Sequence, residues 1–195
     1  MKKTIVMSMA AIFLFAGSCK KNEKTDTDET TTEVEKEEVI KETEEAKVIK
    51  VTLEARSGSK AEGEATFTQK DGKVTFEAHL TGLIPGEHAI HIHEKSDCSA
   101  PDGASTGGHW NPTNQQHGKW GSADGYHKGD IGNFVADENG NGKISLTTDE
   151  WCIGCDDETK NVVGKSVIVH TGADDFVTQP TGNAGGRVSC GGIIK

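Results

Sequence analysis

The residues best suited to chemistry sit in one short stretch, His88-Ala89-Ile90-His91-Ile92-His93. Read as a β-strand, its side chains alternate between two faces. Ile90 and Ile92 then share one face, and His91 and His93 the other. Two imidazoles side by side on a rigid strand suit a borderline-soft transition metal. A surface strand with two solvated histidines is the alternative. The composition weighs against it, because seven of the eight histidines fall between His88 and His170. A second cluster follows in His109, His117, His127 and Asp130. Three imidazoles and one carboxylate match a tetrahedral zinc site closed by protein ligands. His170 ends an alternating apolar run, Val167-Ile168-Val169, and is a candidate further ligand for the His91/His93 pair.

The elements that must carry these residues are short strands. The chain has 195 residues, 24 of them glycine, few aromatics and a mean hydropathy of −0.55. Such a composition suits many turns and argues against membrane-spanning structure. Ile49, Val51, Leu53 and Ala55 line one face of a first strand. A second runs near Ala65 to Gln69. Val74, Phe76, Ala78 and Leu80 line a third, with His79 on its solvent face. The His88 strand is the fourth, and later strands fall at Asn133–Asp137, Lys143–Thr148, Ser166–His170 and Arg187–Cys190. Asp71-Gly72, Pro85-Gly86 and Asn139-Gly140-Asn141-Gly142 read as turns. Eight short strands and no convincing helix predict an all-β, eight-stranded antiparallel barrel or sandwich. Two long loops, Glu94–Gly132 and Thr171–Gly186, interrupt it, and loops of that length are usually functional.

The N-terminus reads as an export signal over residues 1–19. Lys2 and Lys3 precede an apolar run, Ile5 to Ala16, too short to span a bilayer comfortably. Ala16-Gly17-Ser18-Cys19 resembles a bacterial lipobox, which implies a lipid-bearing Cys19 and attachment to the bacterial cell envelope. An ordinary signal peptide containing a Cys is the alternative. Either way the compartment is one where disulfides persist. Residues 20–47 hold 11 acidic and 6 basic residues and almost nothing apolar, so they read as a disordered acidic tether. Residues 48–195 form the single domain, with a net charge of −7 out of −10 for the whole chain. That balance argues against nucleic acid as a partner.

His88-Ala-Ile-His91-Ile-His93, Gly108-His109-Trp-Asn-Pro112, His127-Lys-Gly-Asp130-Ile-Gly-Asn133 and Gly182-Asn-Ala-Gly-Gly-Arg187-Val-Ser-Cys190-Gly together resemble copper/zinc superoxide dismutase. The resemblance runs from about Val48 to Lys195, with the motifs in the same order. It implies a Greek-key barrel. It implies copper held by His91, His93, His109 and His170, and zinc held by His109, His117, His127 and Asp130, with His109 bridging the two. It implies dismutation of superoxide to oxygen and hydrogen peroxide, with copper cycling between oxidation states and His109 delivering a proton. Arg187 resembles the arginine that attracts and orients the anion. Asp174 matches the carboxylate that links a copper ligand to a zinc ligand, here His91 and His117, although Asp175 could serve instead. His88 shares the parity of Ile90 and Ile92, so it is read as structural, pointing inward and bonding to backbone. Cys98 and Cys190 match the family's disulfide. The resemblance leaves the oligomeric state open, a homodimer included.

Two features depart from the family pattern. Thr171–Gly186 contains Asp174 and Asp175 but no lysine or arginine, so steering of superoxide must rest on Arg187, with Lys119, Lys128 or Lys165 as helpers. Cys152 and Cys155 form a CxxC in the connection before the His170 strand. They are read as a local disulfide clip, with metal contact or thiol exchange as alternatives. The competing functional reading is a non-enzymatic copper/zinc-binding or copper-delivery module. Free-thiol titration of the native protein is expected to find none; two reactive thiols would overturn the clip.

Overall fold

The computed structural model describes residues 45–195; the signal-like segment, Cys19 and the tether up to residue 44 lie outside the described residues. The chain forms β1 (Lys47–Ala55), β2 (Glu62–Lys70), β3 (Lys73–Thr81), β4 (Gly86–His93), β5 (Gly132–Ala136), β6 (Gly142–Thr148), β7 (Ser166–His170) and β8 (Arg187–Gly192). All pair antiparallel and close into a barrel in the order β1-β2-β3-β6-β5-β4-β7-β8, with β8 returning to β1. Strands β4 to β6 lie reversed between β3 and β7, the long return connection of a Greek key. Closure leaves no free edge to template aggregation.

Alternation decides which faces are buried. Ile49, Val51 and Leu53 on β1 meet Phe67 on β2 and Val74, Phe76, Ala78 and Leu80 on β3. The Phe67 and Phe76 rings lie 5.0 Å apart, and Trp151 packs on both. The β2–β3 hairpin turns at Asp71 and Gly72, both at positive φ (50° and 75°), as a two-residue hairpin loop matched to strand twist requires. In the β5–β6 turn, Asp137 Oδ1 accepts from the backbone N–H groups of Asn139 and Asn141 at 2.9 and 2.8 Å.

β2 and β8 run longer than the sequence pattern predicts, and glycine is the reason in both. β2 begins at Glu62 rather than Ala65, across Gly63, where a Cβ would strike the His79 carbonyl. β8 continues through Gly191 and Gly192, and a Cβ at Gly191 would lie 2.6 Å from Val51 Cγ1. Glycine weakens the strand signal where two backbones approach too closely for any side chain. One short 3₁₀ turn, Ala104–Thr106, also forms inside the first long loop.

That loop is tied to the last strand by the Cys98–Cys190 disulfide, with a Cα–Cα distance of 5.9 Å. Cys152 and Cys155 form a second disulfide. Two disulfides indicate an oxidising, extracytoplasmic environment. Cys98–Cys190 spans 92 positions. Replacing both of its cysteines by serine is expected to cost on the order of 4 kcal/mol in chemical denaturation, by the chain-entropy model. An unchanged midpoint would show that the loop is held without it.

Candidate metal centre

β4 supplies the floor of the site. Its outer face, His91 and His93, is covered by the two long loops, so both rings are buried rather than solvated. The first loop returns along β4 on both sides of its end. Trp110 N–H donates to Ile92 O at 2.8 Å, Ile92 N–H donates to Gly129 O at 2.9 Å, and His93 and His109 form an isolated antiparallel bridge. No side chain fits at Gly129, because a Cβ would strike the Ile92 carbonyl. β7 and β8 bring the remaining pieces. Their register slips between Val169↔Ser189 and His170↔Arg187, a bulge that sets His170 opposite Arg187.

The result is two groups of four. The potential ligand atoms of His91, His93, His109 and His170 lie within 4.8 Å of one another, as do those of His109, His117, His127 and Asp130. All are buried, and His109 belongs to both groups. The His91 and His109 ring centroids are 4.0 Å apart, and those of His109 and His117 5.3 Å.

Whether such groups fit metal ions can be judged from their hydrogen bonds. His91 Nε2 donates to Asp174 Oδ2 at 2.9 Å, His93 Nδ1 to Gly107 O at 2.9 Å, and His170 Nδ1 to Gly185 O at 3.3 Å. His117 Nε2 donates to Asp174 Oδ1 at 2.8 Å. These acceptors carry no proton, so each places a hydrogen on that nitrogen and, when the ring is neutral, leaves a lone pair on the other. The other nitrogens, His91 Nδ1, His93 Nε2, His170 Nε2 and His117 Nδ1, are buried with no hydrogen-bond partner, as are His109 Nε2 and His127 Nδ1. His117 Nδ1 and His127 Nδ1 lie 3.0 and 3.3 Å from the Asp130 carboxylate, off the line of a hydrogen bond. Buried polar atoms are rarely left unpaired. Six of them converge in two groups, five on rings whose far nitrogen is held by a hydrogen bond, and this fits metal coordination. His109 fits a bridge, since its Nδ1 is 2.8 Å from Asp130 Oδ1 while its Nε2 has no partner.

The charges agree with this arrangement. Burial, aided by repulsion from neighbouring histidines, holds His93 and His170 well below the usual histidine range. Burial also lowers His109 to about 4, against the opposing pull of Asp130. These rings are neutral near pH 7, as coordination requires. His117 differs. Burial opposes its charge, but Asp130 and Asp174 outweigh that and raise it to about 9. Asp130 and Asp174 are themselves held low, because their histidine partners outweigh burial.

Asp174, fully buried, is the carboxylate that links His91 to His117. Asp175 is exposed and instead accepts from Val177, Thr178 and the Thr178 hydroxyl. A Cβ at Gly182, with φ +66°, would collide with Asp174 and lie 2.5 Å from His117 Nε2, so glycine alone allows that link. His88 is bound at both nitrogens, 2.7 Å from His170 O and 2.7 Å from Ile84 O. Arg187 is pinned by Nη1 donating to Gly103 O and Thr106 Oγ1 and by Nη2 donating to Gly107 O, all at 2.7 Å. Its charge reaches both His93 and His170. Thr106 and Gln179 carry no motif signal, yet both support the site. Gln179 accepts from His117 N–H and donates to His117 O, each at 2.8 Å. Of the lysines considered for steering, Lys128 is paired with Glu150 and Lys165 lies 5.9 Å over the Trp110 ring.

Residues 61–193 match the family described as copper/zinc superoxide dismutase. The chain belongs to that family. It is similar to a solved structure of the clock protein EA4, at 40% identity over 75% of this chain and 94% of that one, with a TM-score of 0.64. It is also similar to a double mutant of a SOD-like protein from Bacillus subtilis, at 31% identity over 75% of this chain and 97% of that one, with a TM-score of 0.67.

Zinc binding to the metal-free protein near neutral pH must expel the proton held on His117. Calorimetry in buffers of different ionisation heat is expected to report release of about one proton per zinc. Zinc affinity is then expected to rise with pH until His117 is deprotonated, at about 9. Proton-free binding at neutral pH would contradict this.

Proposed function

We propose that this protein is a superoxide dismutase, converting two superoxide anions and two protons to oxygen and hydrogen peroxide. Copper in the His91, His93, His109 and His170 group would supply the one-electron chemistry, and zinc would occupy the His109, His117, His127 and Asp130 group. The observation that carries the reading is His109, shared by both groups, in a cluster that the fixed charge of Arg187 overlooks.

The protein's own residues then have defined work. Arg187 cannot swing away, since three oxygens hold its terminal nitrogens. It attracts a small anion and orients it by the donors that remain. His109 moves a proton at Nε2, while its Nδ1 faces Asp130 and stays fixed. Asp174 keeps the His91 and His117 rings in register, so the two halves of the centre hold their spacing. Attachment to a bacterial envelope membrane through a lipid on Cys19 belongs to the same proposal. Lipobox-like residues before Cys19 support it, and an acyl mass on the mature protein would test it.

A non-enzymatic copper/zinc-binding role is the second reading. It is favoured by the names of the two similar structures, a clock protein and a SOD-like protein.

The deciding experiment is superoxide dismutation by the copper- and zinc-loaded chain, with Arg187→Ala and His170→Ala beside it. Turnover is expected to fall by about an order of magnitude with Arg187→Ala and to vanish with His170→Ala. Because no lysine or arginine lines residues 171–186, the rate is expected to fall only weakly as salt rises. Stoichiometric metal without turnover would establish the binding role instead.

A further inference from the structure

The CxxC lies outside both metal groups. Neither of its sulfurs belongs to them, and the two are bonded to each other. What the loop does touch is the segment that carries His127. Glu150, two residues before Cys152, accepts from the Tyr126 hydroxyl at 2.5 Å and pairs with the Lys128 ammonium. Trp151 donates its indole N–H to Lys128 O at 2.9 Å. Its ring is 1% exposed and meets Trp120 edge-on at 5.3 Å, while Trp120 packs on Tyr126 at 5.1 Å. Residues 150 and 151 therefore hold both sequence neighbours of His127.

The other side of the loop is fastened to the barrel. Cys152 N–H donates to Lys160 O at 2.8 Å, and Val162 N–H donates to Cys152 O at 3.1 Å. Ile153 N–H donates to Gln69 Oε1 at 2.6 Å, a residue at the end of β2. Asn161 brackets the turn, accepting from Gly154 N–H and donating to Cys155 O. The disulfide closes this turn where Gly154 takes φ +64°. His117 is held from a different direction, by Asp174 and Gln179 of the second long loop.

We propose that the Cys152–Cys155 disulfide is a positioning device for the zinc half of the centre. By closing the 152–155 turn it holds Glu150 and Trp151 where they fix Tyr126 and Lys128 on either side of His127. The inference rests on the zinc reading of the His109, His117, His127 and Asp130 group. It gives the CxxC a role in metal retention without making it a ligand or a redox centre. It also implies that the two halves of the centre are supported in part separately. Three of the four copper-group residues stand on strands β4 and β7, while the zinc group leans in part on the clipped loop.

The test uses the full chain, metal-free, in three forms: wild type, Cys152→Ser/Cys155→Ser, and Glu150→Ala. Glu150 is partly exposed, so its variant leaves the core untouched if the cysteine pair fails to fold. Zinc affinity is measured by competition with a chromophoric chelator, copper(II) affinity in parallel, and the zinc group's geometry by the visible spectrum of bound cobalt(II). Supporting partners of metal ligands commonly change affinity by 10–100-fold. Both variants are expected to bind zinc about tenfold more weakly, with an altered cobalt spectrum and copper affinity close to wild type. Equal zinc affinity in all three forms would overturn the proposal alone. Equal weakening of zinc and copper would also overturn it, by showing a general loss of structure. A wild-type chain that takes up no zinc would overturn the zinc reading and this inference together.

Discussion

Six ring nitrogens buried with no hydrogen-bond partner are the constraint to which the rest of the molecule answers. Burying a polar atom unpaired costs on the order of 1–3 kcal/mol, and His91 and His93 are almost wholly shielded from solvent. Such a cluster is tolerable only if something else satisfies the lone pairs, and two metal ions would do so. Binding free energy is then folding free energy for the loops that close over the site. The barrel core does not share this dependence. Phe67, Phe76, Leu53 and Leu80 are buried in an apolar cluster with no unpaired polar atom of their own to satisfy.

The division of labour follows from that difference. Strands β4 and β7 present His91, His93 and His170 from a rigid sheet. The loops bring His109, His117, His127 and Asp130, and need outside supports to hold them. Asp174 is the support that joins the halves, accepting from His91 with one oxygen and His117 with the other. Its own backbone is anchored to Asn133, whose side chain both accepts from Asp174 N–H and donates to Asp174 O at 2.8 Å. Phe176, which follows in the left-handed region at φ 60°, donates its N–H to Asp174 Oδ1 at 2.7 Å. A bulky residue is uncommon in that region, and this backbone places its N–H on the carboxylate.

Arg187 is fixed by the loop it faces. Its terminal nitrogens are spent on Gly103 O, Gly107 O and Thr106 Oγ1, all from the first long loop. The Cys98–Cys190 disulfide fastens that loop to the strand that carries Arg187. One covalent link and three hydrogen bonds thus set the arginine and the loop relative to each other. Lys128 and Lys165 are engaged elsewhere, by Glu150 and the Trp110 ring.

The sequence by itself determined the strand alternation, the hairpin turns and the two histidine clusters, because side-chain parity and turn chemistry are local properties. It also carried the family motifs that name the ligand groups. What it left open were contacts between residues far apart in the chain. Asp174 and Asp175 are adjacent and chemically identical, and only the fold turns one inward between His91 and His117 and leaves the other capping a surface turn. Gly63 and Gly191 hid strand ends, since a glycine required by close backbone approach looks locally like a break. Thr106, Gln179 and Glu150 gave no sequence signal at all. Their partners lie 81, 62 and 22–24 positions away, and a hydrogen bond across that separation exists only once the barrel has brought its two ends together.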